Sequence, residues 1–343
     1  SKTLIRAAGA QHGRSHHAFD GVARSEESVD WKRIRSSKDE LTASLRTAKY
    51  VDVLAAYEKI TLVEGRGVLD EHGALHLADG TPVPVARMII TTGSSPSAPP
   101  VPGLDAAGYL DSTQLLDIER LPASLAVLGA GSVGLELAQA YARLGVRVTI
   151  LGRSGLLSKE DPDVGEELAR HFRDEGIEVL TWAKVDRIER TEAGRRVHVH
   201  TSDGSTRIVD VQEILEASGR RPNTKDMGLE EAGVRLGPSG EVLVDSAQRT
   251  TNPRVFAAGD VTGGPMHVYV AAHAASIAAE NALGGSEALD LSVLPRVTFT
   301  DPAVASVGLT EDSARDAGIE PIVSKLGLEH VPRALAARDT RGF

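Results

Sequence analysis

The sequence contains no cysteine, so no structural disulfide, zinc–thiolate site or thiol chemistry arises within it. It also has no uninterrupted apolar run near the roughly 20 residues that cross a bilayer, and no basic stretch leading into an apolar one at its start. An excess of basic charge is missing too. Lys and Arg number 38 against 48 Asp and Glu, a net charge of −10, which argues against a phosphate-backbone partner. These absences describe a cytoplasmic protein with no nucleic-acid or membrane partner. An initiating Met is absent as well. The chain opens Ser1-Lys2-Thr3-Leu4-Ile5-Arg6 inside an amphipathic helical pattern and stops at Arg341-Gly342-Phe343 just after a turn; a truncated reading frame is the expected explanation. What is present, 343 residues of which 41% are apolar and 25% charged, is enough for two or three domains.

The clearest local pattern is the apolar run Leu125-Ala126-Val127-Leu128, then Gly129-Ala130-Gly131-Ser132-Val133-Gly134, a helical stretch to Leu144, and Val146 to Leu151. Strand, glycine turn, helix and strand in that order form the context in which G-x-G-x-x-G binds a dinucleotide. Gly129 permits the tight turn, Gly131 lets backbone N–H groups approach a pyrophosphate, and Gly134 lets helix and strand pack closely. At the tip of the second strand an NAD site carries Asp or Glu to accept from the ribose 2′-hydroxyl. Here Gly152 and Arg153 stand instead. A guanidinium fork in place of a carboxylate suits a 2′-phosphate, which favours NADPH, with Lys159 as a second charge. The plainer alternative makes Arg153 a solvated loop residue.

Two stretches repeat one plan. Residues Ile60 to Gly93 read as strands around an Asp79-Gly80 turn, then Met88-Ile89-Ile90 and Thr91-Thr92-Gly93; Ile177 to Gly219 repeat this around Asp203-Gly204 and close in Ala217-Ser218-Gly219. Asp-Gly between alternating strands predicts a hairpin, so each stretch is a small antiparallel meander returning to a central strand. A third segment, Val255-Phe256-Ala257-Ala258-Gly259-Asp260, reads as a buried strand that delivers a carboxylate to the carboxyl end of a parallel sheet. Asp260 suits a sugar hydroxyl there, or alternatively caps the next helix. Leu294 to Leu309 begins a new β-rich unit. Leu41, Leu45, Val51, Leu54 and Tyr57 make an apolar helical stripe, so periodicity alone makes Tyr50 a core residue. His16-His17 diverge, and His198 and His200 fall on one exposed hairpin face, a poor arrangement for metal ligands.

Together these residues resemble the pyridine nucleotide-disulfide oxidoreductases. Ser1-Lys2 is similar to the residues just after that family's redox cysteine pair, Thr91-Thr92-Gly93 and Ala217-Ser218-Gly219 to its A-T-G turns, and Ala257-Ala258-Gly259-Asp260 to its flavin-binding A-G-D. Thr47-Ala48-Lys49-Tyr50, Asp301 to Gly308, Val331 to Ala336 and Asp339-Thr340-Arg341-Gly342-Phe343 resemble the mercuric reductase branch. Glu216, where the family stays apolar, and Ser218, where it has threonine, depart from the pattern.

The resemblance implies an α/β fold: two Rossmann-like dinucleotide-binding domains, each with parallel sheet, helices and β-meander, plus the start of an α+β interface domain. The FAD domain would hold residues 1–118 and 240–290, its first strand and glycine loop lying upstream. The NADPH domain would hold 119–239, and 291–343 would begin the dimerisation domain. It implies Lys2 and Glu136 as an ion pair beside the flavin, with Gly67, Thr92, Gly93, Asp260 and Val268 as further FAD contacts. Gly129, Gly131, Gly134, Arg153, Lys159 and Gly219 would bind NADPH, and Tyr50 would lie near Hg(II). The implied activity passes hydride from NADPH to FAD and then, through a cysteine pair absent from these residues, reduces Hg(II) to Hg(0) in a homodimer, the fragment alone being inactive. A disulfide reductase or lipoamide dehydrogenase relative is the alternative within the class, and a non-catalytic FAD- and NADPH-binding scaffold the alternative outside it.

Overall fold

The computed structural model describes residues 1–25 and 28–343. The chain forms two compact units, one of Ser1–Tyr50, Ala98–Gly219 and Leu294–Phe343, the other of Val51–Ser97 and Arg220–Val293. Among the described residues no helix is long and apolar enough to cross a membrane.

The first unit is built on a parallel sheet of β1 (Ser124–Leu128), β2 (Arg147–Leu151), β3 (Glu178–Leu180) and β4 (Glu213–Glu216), in the order β4-β1-β2-β3. All five residues of β1 are buried. A strand covered on both faces reads as a continuous apolar run rather than an alternating one, and Leu125-Ala126-Val127-Leu128 is such a run. One face carries α1 (Lys2–Ser15), α2 (Ser132–Arg143) and α3 (Pro162–Asp174), whose Leu4, Ala8, Leu135, Tyr141 and Phe172 share a core with Leu125 and Val127. The buried Tyr141 hydroxyl donates to the Leu115 carbonyl, and burial pushes its pKa up. The other face packs Ala126, Leu128 and Ile214 against Val197, Val199 and Val209 of an antiparallel meander. That meander turns at Asp203-Gly204, where Gly204 takes φ +81 and the Asp203 carboxylate, pulled down to about 2, accepts from Thr201 Oγ1 at 2.6 Å and Ser205 N at 3.0 Å.

The meander corrects one expectation. His198 is buried, 8% exposed, while His200 is exposed. Alternation alone put both on an open face, but their strand, Gly194–His200, is the middle one of three, and His198 has Arg187 on one side and Ile208 on the other.

The second unit repeats the plan in smaller form. Gly67–Leu69, Leu75–Leu77 and Pro82–Val83 make an antiparallel meander, and Met88–Ile90 then pairs in parallel with Val255–Ala257. Helix α4 (Val268–Ala282) packs Ala274 and Ala278 on Phe256 and Ala258, close packing that an alanine-rich face permits.

The stripe expected around Tyr50 is not a core. Leu41, Leu45, Val51 and Tyr57 are exposed and Tyr50 is 67% exposed, in a short π-helical turn, Thr47–Val51. Periodicity identifies an apolar face, but burial needs a second element to cover it.

Candidate dinucleotide and redox sites

Each glycine of the turn between β1 and α2 has a distinct reason to lack a side chain. Gly129 takes φ +116, and a Cβ there would stand 2.5 Å from the Ala217 carbonyl oxygen. Gly134 would meet the Gly129 carbonyl oxygen at 2.6 Å and Val127 at 3.3 Å. Gly131 differs: no atom lies within 4 Å of where its Cβ would be. It is also the N-cap of the 12-residue α2 and offers no side-chain cap. Open space in front of uncapped N–H groups at a helix N-terminus is a cradle for an anion, and these residues fit a pyrophosphate.

Beyond the carboxyl ends of the strands lie Arg153 and Lys159, both exposed. Gly219 is exposed at the end of the Ala217-Ser218-Gly219 turn that follows β4. That turn is closed by Glu216, only 2% exposed. Its Oε1 accepts from the Ser218 amide at 2.7 Å and the Ser218 hydroxyl at 2.5 Å, while Oε2 is buried without a partner. Burial pushes the Glu216 carboxyl up, and the Ser218 hydrogen bonds and the charge of Arg153 oppose that push. A carboxyl raised in this way binds more proton folded than unfolded. Its contribution is therefore fullest below the unfolded pKa and is lost as pH rises through the folded one. Glu216→Gln is expected to raise Tm by about 2–4 °C, of order 1 kcal/mol, near neutral pH and to change it little in acid. Equal shifts in melts at both pH values would remove Glu216 as the titrating group.

The structure brings Lys2 and Glu136 together. Lys2 Nζ lies 2.5 Å from Glu136 Oε2 and 4.2 Å from the centroid of the Phe299 ring. Glu136 Oε1 accepts from the Phe299 amide at 2.9 Å. The carboxylate side chain is 7% exposed and the lysine 55%. A buried carboxylate with both oxygens bonded is a rigid base for a cation whose outer side stays open. Phe299 escaped sequence reading because its partners are 163 and 297 positions away, with no local pattern to mark them.

Asp301 and Arg341, from the motifs that carry the resemblance, join a charge cluster around the buried Arg143 and Glu175 instead. Arg143 Nη2 lies 2.5 Å from Glu175 and 2.8 Å from Asp301, and Arg341 lies 2.7 Å from both Asp301 and Asp339. These carboxylates hold both guanidinium pKa values up.

In the second unit, Asp260 follows the strand Val255–Ala257 and Gly259. Ser94 Oγ donates to Asp260 Oδ2 at 2.7 Å, and Arg220 Nε donates to Ser94 Oγ at 2.8 Å. Asp260 caps no long helix, since α4 starts at Val268 behind His267. Val268, at the first position of α4, is 87% exposed. Thr92 Oγ1 donates to the Asn223 carbonyl at 2.7 Å, and Gly93, φ +71, has open space at its Cβ position. Gly67 is half-buried in its strand, where a Cβ would meet Leu75 at 3.1 Å. An anchored carboxylate, a bare glycine turn and an uncapped helix N-terminus fit a ribityl diphosphate such as that of FAD. Tyr50 belongs to the first unit and Asp260 and Val268 to the second.

This geometry agrees with comparison to known proteins. The family model for pyridine nucleotide-disulphide oxidoreductases matches residues 1–275, and the model of that family's dimerisation domain matches 294–343. The chain belongs to this family. It is 44% identical to a mercuric reductase of Streptomyces lividans over its full length and 73% of that protein, and 39% identical to one of Bacillus cereus, of which it spans 54%. Among solved structures it is similar to the HOCl-induced flavoprotein disulfide reductase RclA from Escherichia coli, at TM-score 0.83 and 32% identity over 99% of this chain and 74% of that one. LpdA from Mycobacterium tuberculosis gives TM-score 0.84 at 27% identity, with 100% and 75% covered. The parallel sheets and paired meanders described above are therefore a family architecture.

Proposed function

We propose that this chain is the dinucleotide-handling part of an enzyme that oxidises NADPH and reduces Hg(II) to Hg(0). The Lys2–Glu136 pair, its carboxylate carried by the helix that the glycine turn opens, is the observation that carries this reading. Residues 119–239 would bind NADPH, with Gly129, Gly131, Gly134 and Gly219 around the pyrophosphate and Arg153 and Lys159 toward the 2′-phosphate. Residues 1–118 and 240–290 would hold FAD through Gly67, Thr92, Gly93, Asp260 and Val268. When bound, FAD supplies two-electron chemistry between the nicotinamide and the next acceptor. Lys2 supplies a fixed positive charge for the negative charge that builds on reduction, and Glu136 fixes its position. Two electrons and Hg(II) give Hg(0), while NADPH becomes NADP⁺ and a proton. A soft cation prefers thiolates, which must come from outside these 343 residues, and the exposed Tyr50 offers a phenolic oxygen on its path. Homodimer formation would use 291–343, and the protein would work in the cytoplasm.

Protein expressed from the whole reading frame, loaded with FAD, is expected to oxidise NADPH only when Hg(II) is added and to release volatile mercury. Oxidation with a disulfide such as glutathione disulfide but none with Hg(II) would assign the protein instead to disulfide reduction, the activity named for the RclA relative.

A further inference from the structure

Trp182 is a large aromatic side chain left 63% exposed, whereas the other tryptophan, Trp31, is 8% exposed with its ring N–H bonded to the Ile118 carbonyl at 3.0 Å. Its backbone is unusual as well. Trp182 takes φ +55, the left-handed region that a bulky L-residue rarely enters and that concentrates at ligand sites. Neighbouring hydrogen bonds hold it there: Trp182 N donates to the Ser154 carbonyl at 3.4 Å and Ala183 N to the Gly152 carbonyl at 2.8 Å, and Ala183 is buried. The segment 182–183 is thus laced to Gly152-Arg153-Ser154, the loop in which a guanidinium replaces the usual carboxylate.

Register sharpens the juxtaposition. Leu151 of β2 pairs with Leu180 of β3, and the backbone bonds of Gly152 to Leu180, Trp182 to Ser154 and Ala183 to Gly152 carry the two chains on together past the carboxyl ends of their strands, so Trp182 lies beside the loop that holds Arg153. That edge is where open α/β sheets bind ligands. A core role does not explain an indole so exposed, and a loop needing only solubility would not hold tryptophan in a left-handed conformation.

We propose that Trp182 is the adenine platform of the dinucleotide site: the indole face stacks on the adenine ring while the adjacent Arg153 takes the 2′-phosphate. This rests on the reading that the loop after β2 receives the adenosine end of NADPH. The pair recognises a 2′-phosphoadenosine from two sides, through a π-face and a charged fork.

The probe is 2′,5′-ADP, which carries the adenine and the 2′-phosphate without nicotinamide. Binding is expected to quench tryptophan fluorescence saturably in the native protein and in Trp31→Phe, and to leave the remaining fluorescence of Trp182→Phe unchanged. Trp182→Ala should weaken 2′,5′-ADP and NADPH by a similar factor, about 5- to 100-fold, the range of base–aromatic stacking, with most of the affinity kept in Trp182→Phe. Trp182→Gly removes the left-handed strain, so it should keep or raise Tm while losing the same affinity, a combination that a purely structural tryptophan would not give. Unchanged 2′,5′-ADP affinity in Trp182→Ala or Trp182→Gly overturns the proposal. Arg153→Glu separates it from the reading beneath: a loss much larger for NADPH than for NADH upholds the loop as the phosphate site whatever Trp182 does, and equal losses remove the loop and the platform together.

Discussion

Replacing Lys2 by Met is expected to slow NADPH oxidation by the FAD-loaded protein about 100-fold while leaving NADPH affinity nearly unchanged. The loss of one preorganised charge or donor at a site of developing charge typically costs 10²–10³ in rate, because such groups are held in place beforehand and need no reorganisation. Lys2 has that preorganisation. Its Nζ is fixed between Glu136 at 2.5 Å and the Phe299 ring at 4.2 Å, and the carboxylate that anchors it is buried. Met keeps the length and the apolar stem, so the loss reports charge rather than packing. Glu136→Gln should fall between, since the lysine keeps a hydrogen-bond acceptor and loses its counter-charge. Rapid mixing with NADPH, together with an independent measurement of nucleotide affinity, separates rate from binding. A Lys2→Met protein that oxidises NADPH at the native rate would take the ion pair out of the chemistry.

Two glycines only two positions apart should fail in opposite ways. Gly131→Val places its side chain where no protein atom lies within 4 Å of the Cβ, so Tm should move by no more than about 1–2 °C, as for an exposed substitution. The same side chain fills the cradle in front of the N-terminus of α2. NADPH affinity should fall at least about 100-fold, the equivalent of two lost hydrogen bonds to a charged group. Gly129→Ala is the reverse case. Its methyl would sit 2.5 Å from the Ala217 carbonyl oxygen at φ +116, a backbone–backbone collision with no flexible atom to yield, costing about 3 kcal/mol or roughly 6–12 °C in Tm. Thermal melts and NADPH titration of the two variants read the contrast. If Gly131→Val bound NADPH normally, the cradle would not be the pyrophosphate site.

What sequence could show divides along the range of the interactions. The unit from Leu125 to Leu151 was legible because a buried parallel strand, a glycine turn and an amphipathic helix each have a short-range pattern. The meanders were legible through Asp79-Gly80 and Asp203-Gly204, since a left-handed turn residue leaves a compositional mark. Burial of a face was harder to read. The Leu41 and Leu45 stripe has the period of a core helix and yet is exposed, and His198 has the alternation of a surface residue and yet is covered. Both depend on what a distant part of the chain does. The contacts of Phe299 with Lys2 and Glu136 and the Arg143–Glu175–Asp301–Arg341 cluster were invisible for the same reason, as was the pairing of Trp182 with the loop after β2. Glu216 stood out in the sequence as a charge in an apolar strand, but only the structure shows that it folds back on Ser218.

Glu136 divides its two oxygens between different parts of the chain, one to the ammonium at the start of α1 and the other to a main-chain amide at the end of the strand Pro295–Thr298. The amide contact needs no particular side chain at 299, so it survives any mutation there except proline. A shift of that strand by even one ångström would therefore pull on the carboxylate and, through it, on the cation. The electrical setting of the lysine is thus mechanically tethered to the segment 294–343, whose family role is pairing subunits.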